Sequence, residues 1–152
     1  MKIICVGRNY VKHIKELNNE FPKQPIIFTK PDTSILLNNK DFYFPDFSSN
    51  VQFEVELLIK ISKEGKKIPV SFANRYYNKV GIGIDFTARD IQTNAKNKGL
   101  PWTLAKGFNH SAPISEFLSI EKFKDIQNIN FSLKKNNKVV QKSNSNKMIY
   151  KV

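Results

Sequence analysis

Two glutamates, Glu54 and Glu56, stand two residues apart in the run QFEVELLIKI (52–61), the strongest strand pattern in the chain. Side chains alternate along a strand, so both carboxylates project from one face, with Val55 and Leu57 on the other. Like charges held side by side on an apolar strand repel each other and lose hydration. A hard divalent cation removes both penalties, because such ions prefer oxygen donors. An exposed strand face with two solvated glutamates fits the same spacing. A third acid, Asp85, ends the small, apolar run KVGIGID (79–85), just before an expected helix start. It suits either a third ligand or support for that helix terminus.

Histidine is scarce. His13 lies in a helical pattern with Glu16 one turn later, and a carboxylate at that spacing can orient the imidazole and raise its basicity. Such a pair can activate water as a general base, or can be a plain surface contact. Lys106 sits in the largely apolar segment PWTLAKGF (101–108). There it either faces an anion from a partly buried position or snorkels to water. His110 lies in a polar loop and receives no role. The sequence holds no glycine-rich phosphate loop, zinc-type cysteine set or Ser–His–Asp order.

These residues need a frame to hold them. Residues 2–6 read as a strand and 9–19 as a helix. Short strands are expected at 26–29 and 34–37, then the long run 52–61, a helical turn near 71–77 and a strand at 79–86. A helix is expected to start at Thr87, with Asp90 completing a capping box, and to stop at Gly99 and Pro101. Strands at 129–134 and 138–142 flank an Asn136-Asn137 turn. Many short strands with few brief helices make a β-rich α+β domain, and 152 residues without a linker make it a single one, 1–152.

The net charge is +12, yet of 25 basic residues only Arg8, Arg75 and Arg89 are arginine. Scattered lysines read as a solvated coat rather than a nucleic-acid patch, where arginine forks dominate. A positive field still attracts small anions. No apolar run approaches the ~20 residues that span a bilayer, and the N-terminal stretch is too brief for a signal peptide. The single cysteine, Cys5, reads as a small core residue and suits a reducing cytoplasm.

Five segments, taken in order, resemble the fumarylacetoacetate hydrolase family, and most its short acylpyruvase and oxaloacetate decarboxylase-type members. They are CVGRNYVKHIKE (5–16), PIIFTKPDTS (25–34), FEVELLIKI (53–61), GIDFTARDIQ (83–92) and KGLPWTLAKGF (98–108). QKSNSNKMIY (141–150) is a weaker echo of the family's Q-x-G-N-T-x-x-M segment, with Ser143 and Ser145 in place of its glycine and threonine.

The resemblance implies a mixed β-roll or sandwich with a few short helices. It implies Mg2+ or Mn2+ on Glu54, Glu56 and Asp85, and a catalytic His13–Glu16 pair on a mobile lid helix. Lys106 and Gln92 would contact a small anionic oxo acid, with Arg8 and Lys30 helping to hold it. The implied reaction is hydrolysis of the C–C bond of an acylpyruvate, or decarboxylation of oxaloacetate, giving pyruvate. Rival readings are a 2-hydroxyhepta-2,4-diene-1,7-dioate isomerase or decarboxylase and an inactive truncated remnant. Relatives are homodimers, so a second copy is the expected partner of a full-length chain. Relatives also continue through further strands and a T-G-T-P-x-G-V loop, so the fold is expected to be incomplete at its C-terminal end, with open strand edges.

Overall fold

The computed structural model describes residues 2–18 and 20–152. Its centre is one long antiparallel pair. Strand β4 (Val51–Ile61) runs against β5 (Tyr77–Ala88) in unbroken register from Val51↔Ala88 to Lys60↔Lys79. The short β7 (Leu118–Ser119) adds to the far side of β5. β1 (Ile3–Gly7) pairs antiparallel with β2 (Ile26–Lys30), β3 (Ile35–Leu36) pairs parallel with β6 (Ala112–Pro113), and β8 (Asn130–Lys135) forms a hairpin with β9 (Lys138–Asn144). Three short helices complete the frame: α1 (Val11–Glu16), α2 (Arg89–Asn97) and α3 (Thr103–Lys106). The expected β-rich α+β architecture is what the chain adopts.

Strand alternation on β5 separates two environments. Phe86 faces an aromatic cluster, stacked on Phe42 with ring centroids 3.8 Å apart, while Phe42 and Phe47 both lie against Phe108. Asp85 and Thr87 point the other way and are buried. The hairpin turn at Asn136 and Asn137 places both residues at positive φ (48° and 64°), as asparagine tolerates best after glycine.

Two helix expectations are corrected. The first helix is shorter than residues 9–19, whose last residue lies outside the described ones. Asn9 is tied to the chain end by its side chain, donating to the Tyr150 carbonyl (3.0 Å) and accepting from the Tyr150 N–H (2.7 Å). At the other end Asn18 takes φ +50°, which a helix does not continue. The second helix does not start at Thr87. Pairing with Gln52 keeps Thr87 in the strand, and α2 begins at Arg89 behind an Ala88 cap that makes no side-chain bond. Asp90 therefore completes no capping box. Its exposed carboxylate accepts from Ser48 Oγ (2.6 Å), Ser49 N (3.0 Å) and Ile91 N (2.9 Å), and the Ser48 bond above all holds it down at about 2. Lys98 and Gly99 do end the helix, with Gly99 at φ +64°.

Among the described residues no strand lies beside the outer edge of β4, which stands at the end of its sheet. Apolar side chains lie open nearby: Ile61 is 66% and Val70 92% exposed.

Candidate active site

The acids, the lysines and helix α1 meet at one wall of a broad cleft of about 1850 Å³. The long β4–β5 register is what brings them together. It sets Glu54 directly opposite Asp85, and Glu56 opposite Gly83. Cross-strand partners share a face, so three carboxylates look into the same space.

Glu54 is the hub. Its Oε1 receives Arg89 Nη2 at 2.5 Å and faces His13 Nε2 at 3.1 Å, while its Oε2 lies 3.5 Å from Lys106 Nζ. Desolvation pushes its carboxyl up, but the His13 hydrogen bond, Lys106 and Arg89 outweigh that and hold it well below the usual carboxylate range. The Glu54 hydrogen bond in turn raises His13 above the ordinary histidine value, against the lowering effect of its burial. The expected partner Glu16 is farther off, 3.7 Å from His13 Nδ1, and its side chain is exposed.

Asp85 is paired with two buried lysines. Lys106 Nζ donates to its Oδ2 at 2.5 Å and to Thr87 Oγ1 at 2.6 Å. Lys30 Nζ lies 2.8 Å from Oδ1, a second ion pair on the same carboxylate. Lys30 is otherwise committed to the carbonyls of Phe86, Ser111 and Lys106 and to Ser111 Oγ. Burial lowers its affinity for the proton, with Asp85 opposing. Where the sequence left open whether Lys106 snorkels, its end is buried against the carboxylates.

Glu56 differs from both other acids. It has no ion pair or hydrogen bond among the described residues. Desolvation, with repulsion from Asp85 and Glu54, pushes its carboxyl up to about 8. Among the described residues, no three His, Cys, Asp or Glu side chains are drawn together as they stand into a group that could hold an ion. The donor set still fits a divalent cation. Three carboxylates share one face, and one of them makes no ion pair or hydrogen bond among the described residues; an oxygen-seeking cation answers both conditions.

Gln92 is buried on α2 and accepts from Arg89 Nη1 at 2.7 Å, while Arg89 Nε donates to Gln52 at 2.8 Å. Arg8 borders the cleft at φ +56°, with Nη1 3.4 Å from the Glu20 carbonyl. Arg89 is the residue that sequence reasoning passed over. It was legible only as the arginine of the T-A-R-D run, and nothing in its spacing shows a fork on Gln52, Glu54 and Gln92. Cys5 is half-buried, and desolvation above all pushes its thiol up to about 12, as suits an unreactive packing residue.

The family described as fumarylacetoacetate (FAA) hydrolase C-terminal matches residues 2–152. The chain is 42% identical to the mitochondrial oxaloacetate decarboxylase of Dictyostelium discoideum over 152 residues, 99% of this chain and 70% of that protein. It is 41% identical to the mitochondrial oxaloacetate tautomerase of Arabidopsis thaliana, covering 68% of it. The crystal structure of fumarylpyruvate hydrolase from Pseudomonas aeruginosa in complex with Mn2+ and pyruvate superposes with a TM-score of 0.91 at 28% identity, over 98% of this chain and 66% of that one. With its whole described length matched and its ordered motifs meeting at one cleft wall, the chain belongs to the fumarylacetoacetate hydrolase family.

Proposed function

We propose that the chain forms the site of a divalent-metal-dependent enzyme for small 2-oxo acids, with oxaloacetate as the first substrate and pyruvate or its enol as the product. The observation that carries this reading is the Glu54 hub, a carboxylate held at once by an imidazole, a guanidinium and an ammonium at the wall of an open cleft. The relatives named for oxaloacetate support the substrate class.

Glu54, Glu56 and Asp85 would hold Mg2+ or Mn2+, which supplies Lewis-acid charge to the carboxylate and oxo oxygens of the substrate. The protein's own groups do the rest. Arg89, Lys106 and, beside them, Arg8 set positive charge where a dianion must sit. In decarboxylation the bond between the carbon next to the oxo group and the terminal carboxylate breaks. Carbon dioxide leaves, the electron pair moves toward the oxo oxygen, and Lys106 is placed to offset the charge gathering there. A proton then returns to the carbon, and His13 is the titrating group at hand. When Glu54 no longer holds the imidazole, the acid left beside it is Glu16. Gln92 keeps the Arg89 fork in its plane.

The His13–Glu16 contact also supports a second reading, hydrolysis of an acylpyruvate. There the imidazole removes a proton from water attacking the distal carbonyl. Pyruvate formation from oxaloacetate and from acetylpyruvate, each with Mn2+ and with excess chelator, tests both. Chelator-sensitive turnover of oxaloacetate supports the first reading, and preference for acetylpyruvate the second. Turnover unaffected by chelator contradicts both.

A further inference from the structure

We propose that Gln141, on the β8–β9 hairpin, is a positioning residue for Glu54, working by a main-chain clamp on β4. Its side-chain Nε2 donates to the Phe53 carbonyl at 3.0 Å and its Oε1 accepts from the Val55 N–H at 2.8 Å. Those two groups belong to the residues on either side of Glu54. One residue of a parallel strand would make the same pair of bonds, to the carbonyl before and the N–H after the residue it faces. The amide thus stands in for a strand at the one place along the open edge of β4 where the hub carboxylate is mounted.

The chemistry selects glutamine. The clamp needs a donor and an acceptor on one planar group at the end of a chain long enough to cross from β9. Leucine supplies neither, glutamate only the acceptor, and asparagine lacks a methylene of reach. Apart from this amide, a long contact of Lys135 Nζ over the Phe53 ring, 5.7 Å from its centroid, links hairpin and strand. Glu54 makes its three charged contacts within 3.5 Å, so a small shift of its main chain disturbs them all. The inference rests on the metal reading above only in its Mn2+ readout.

The test compares three variants of the whole chain. Gln141→Leu removes the clamp, Gln141→Glu keeps only the acceptor, and Val139→Ala perturbs the same hairpin at an exposed position that makes no hydrogen bond to β4 through its side chain. Hydrogen exchange at the Val55 amide reports the clamp itself, and Mn2+ titration reports the consequence. Gln141→Leu is expected to speed Val55 exchange and to weaken Mn2+ binding about tenfold or more, as loss of a supporting partner commonly does. Val139→Ala should change neither. If Gln141→Leu fails to fold, Gln141→Glu serves, with the same direction of change. Mn2+ affinity that is unchanged while the Val55 amide exchanges freely overturns the proposal. Should the unmodified chain take up no Mn2+, the metal reading is what fails, and the Arg89 guanidinium protons then decide. Faster exchange of those protons in the Gln141 variants but not in Val139→Ala upholds the clamp, and unchanged exchange overturns it.

Discussion

Burial, Asp85 and Glu54 together push the Glu56 carboxyl from an ordinary 4.5 to about 8. A folded-state value above the unfolded one means that stability is fully present below about 4.5 and is lost as pH rises through about 8. Glu56→Gln removes that loss. With a chelator present, its melting temperature should exceed that of the unmodified protein at pH 8.5 by several degrees or more. The gap should close toward pH 5, and a variant that melts lower at pH 8.5 would contradict the account of Glu56. Glu54 has the opposite sign: its depressed value gives stability above the ordinary carboxylate range that fades in acid. His13→Ala should lower turnover about 100-fold or more, the usual worth of a general acid or base, and leave the Mn2+ affinity within about threefold. Equal losses in both would make His13 a structural support for Glu54 instead. The types and spacing of Glu54, Glu56, Asp85, His13 and Lys106 were legible in the sequence because strand alternation and helical spacing fix which side chains share a face. The closer pairing of His13 with Glu54, beside its contact with Glu16, was not, since it joins residues 41 apart that only tertiary structure brings together.

The β4–β5 pair is the element on which the site depends. Its length and its Glu54↔Asp85 register come from apolar runs that read plainly as strands. The helix start at Thr87 misled because Thr and Asp three apart suit a cap, while cross-strand pairing with Gln52 and the Lys106 hydrogen bond to Thr87 favour extended backbone. Helix α1 is a second case. Six residues cannot sustain a helix by propensity alone, so anchoring must come from outside. Asn9 supplies it through its two side-chain bonds to Tyr150, and its own carbonyl accepts from the Ile149 N–H. Asn9→Ala should cost about 1–3 kcal/mol in denaturant unfolding and weaken the hold on His13. An unchanged unfolding midpoint would show that α1 is held by packing of the buried Ile14 instead.

At the scale of the molecule, the described residues form four small sheets and three short α-helices around the cleft, and 99% of the chain matches 70% of the Dictyostelium relative. Sequence patterns gave the individual strands, but not which of them pair. β1 joins β2 across a helix and β3 joins β6 across half the chain, contacts that no local periodicity encodes. Of the +12 charge, the cations that pair with the cleft-wall carboxylates are Lys30, Lys106 and Arg89. All of this rests on Glu54, Glu56 and Asp85 serving one divalent cation, and the most direct measurement is Mn2+ titration of the protein followed by paramagnetic resonance, with Glu56→Gln alongside. The account predicts one Mn2+ taken up per chain and a loss of affinity of about 100-fold or more in the variant, as removal of one anionic ligand of a hard cation should give. No uptake by the unmodified protein, or equal uptake by both, would contradict it.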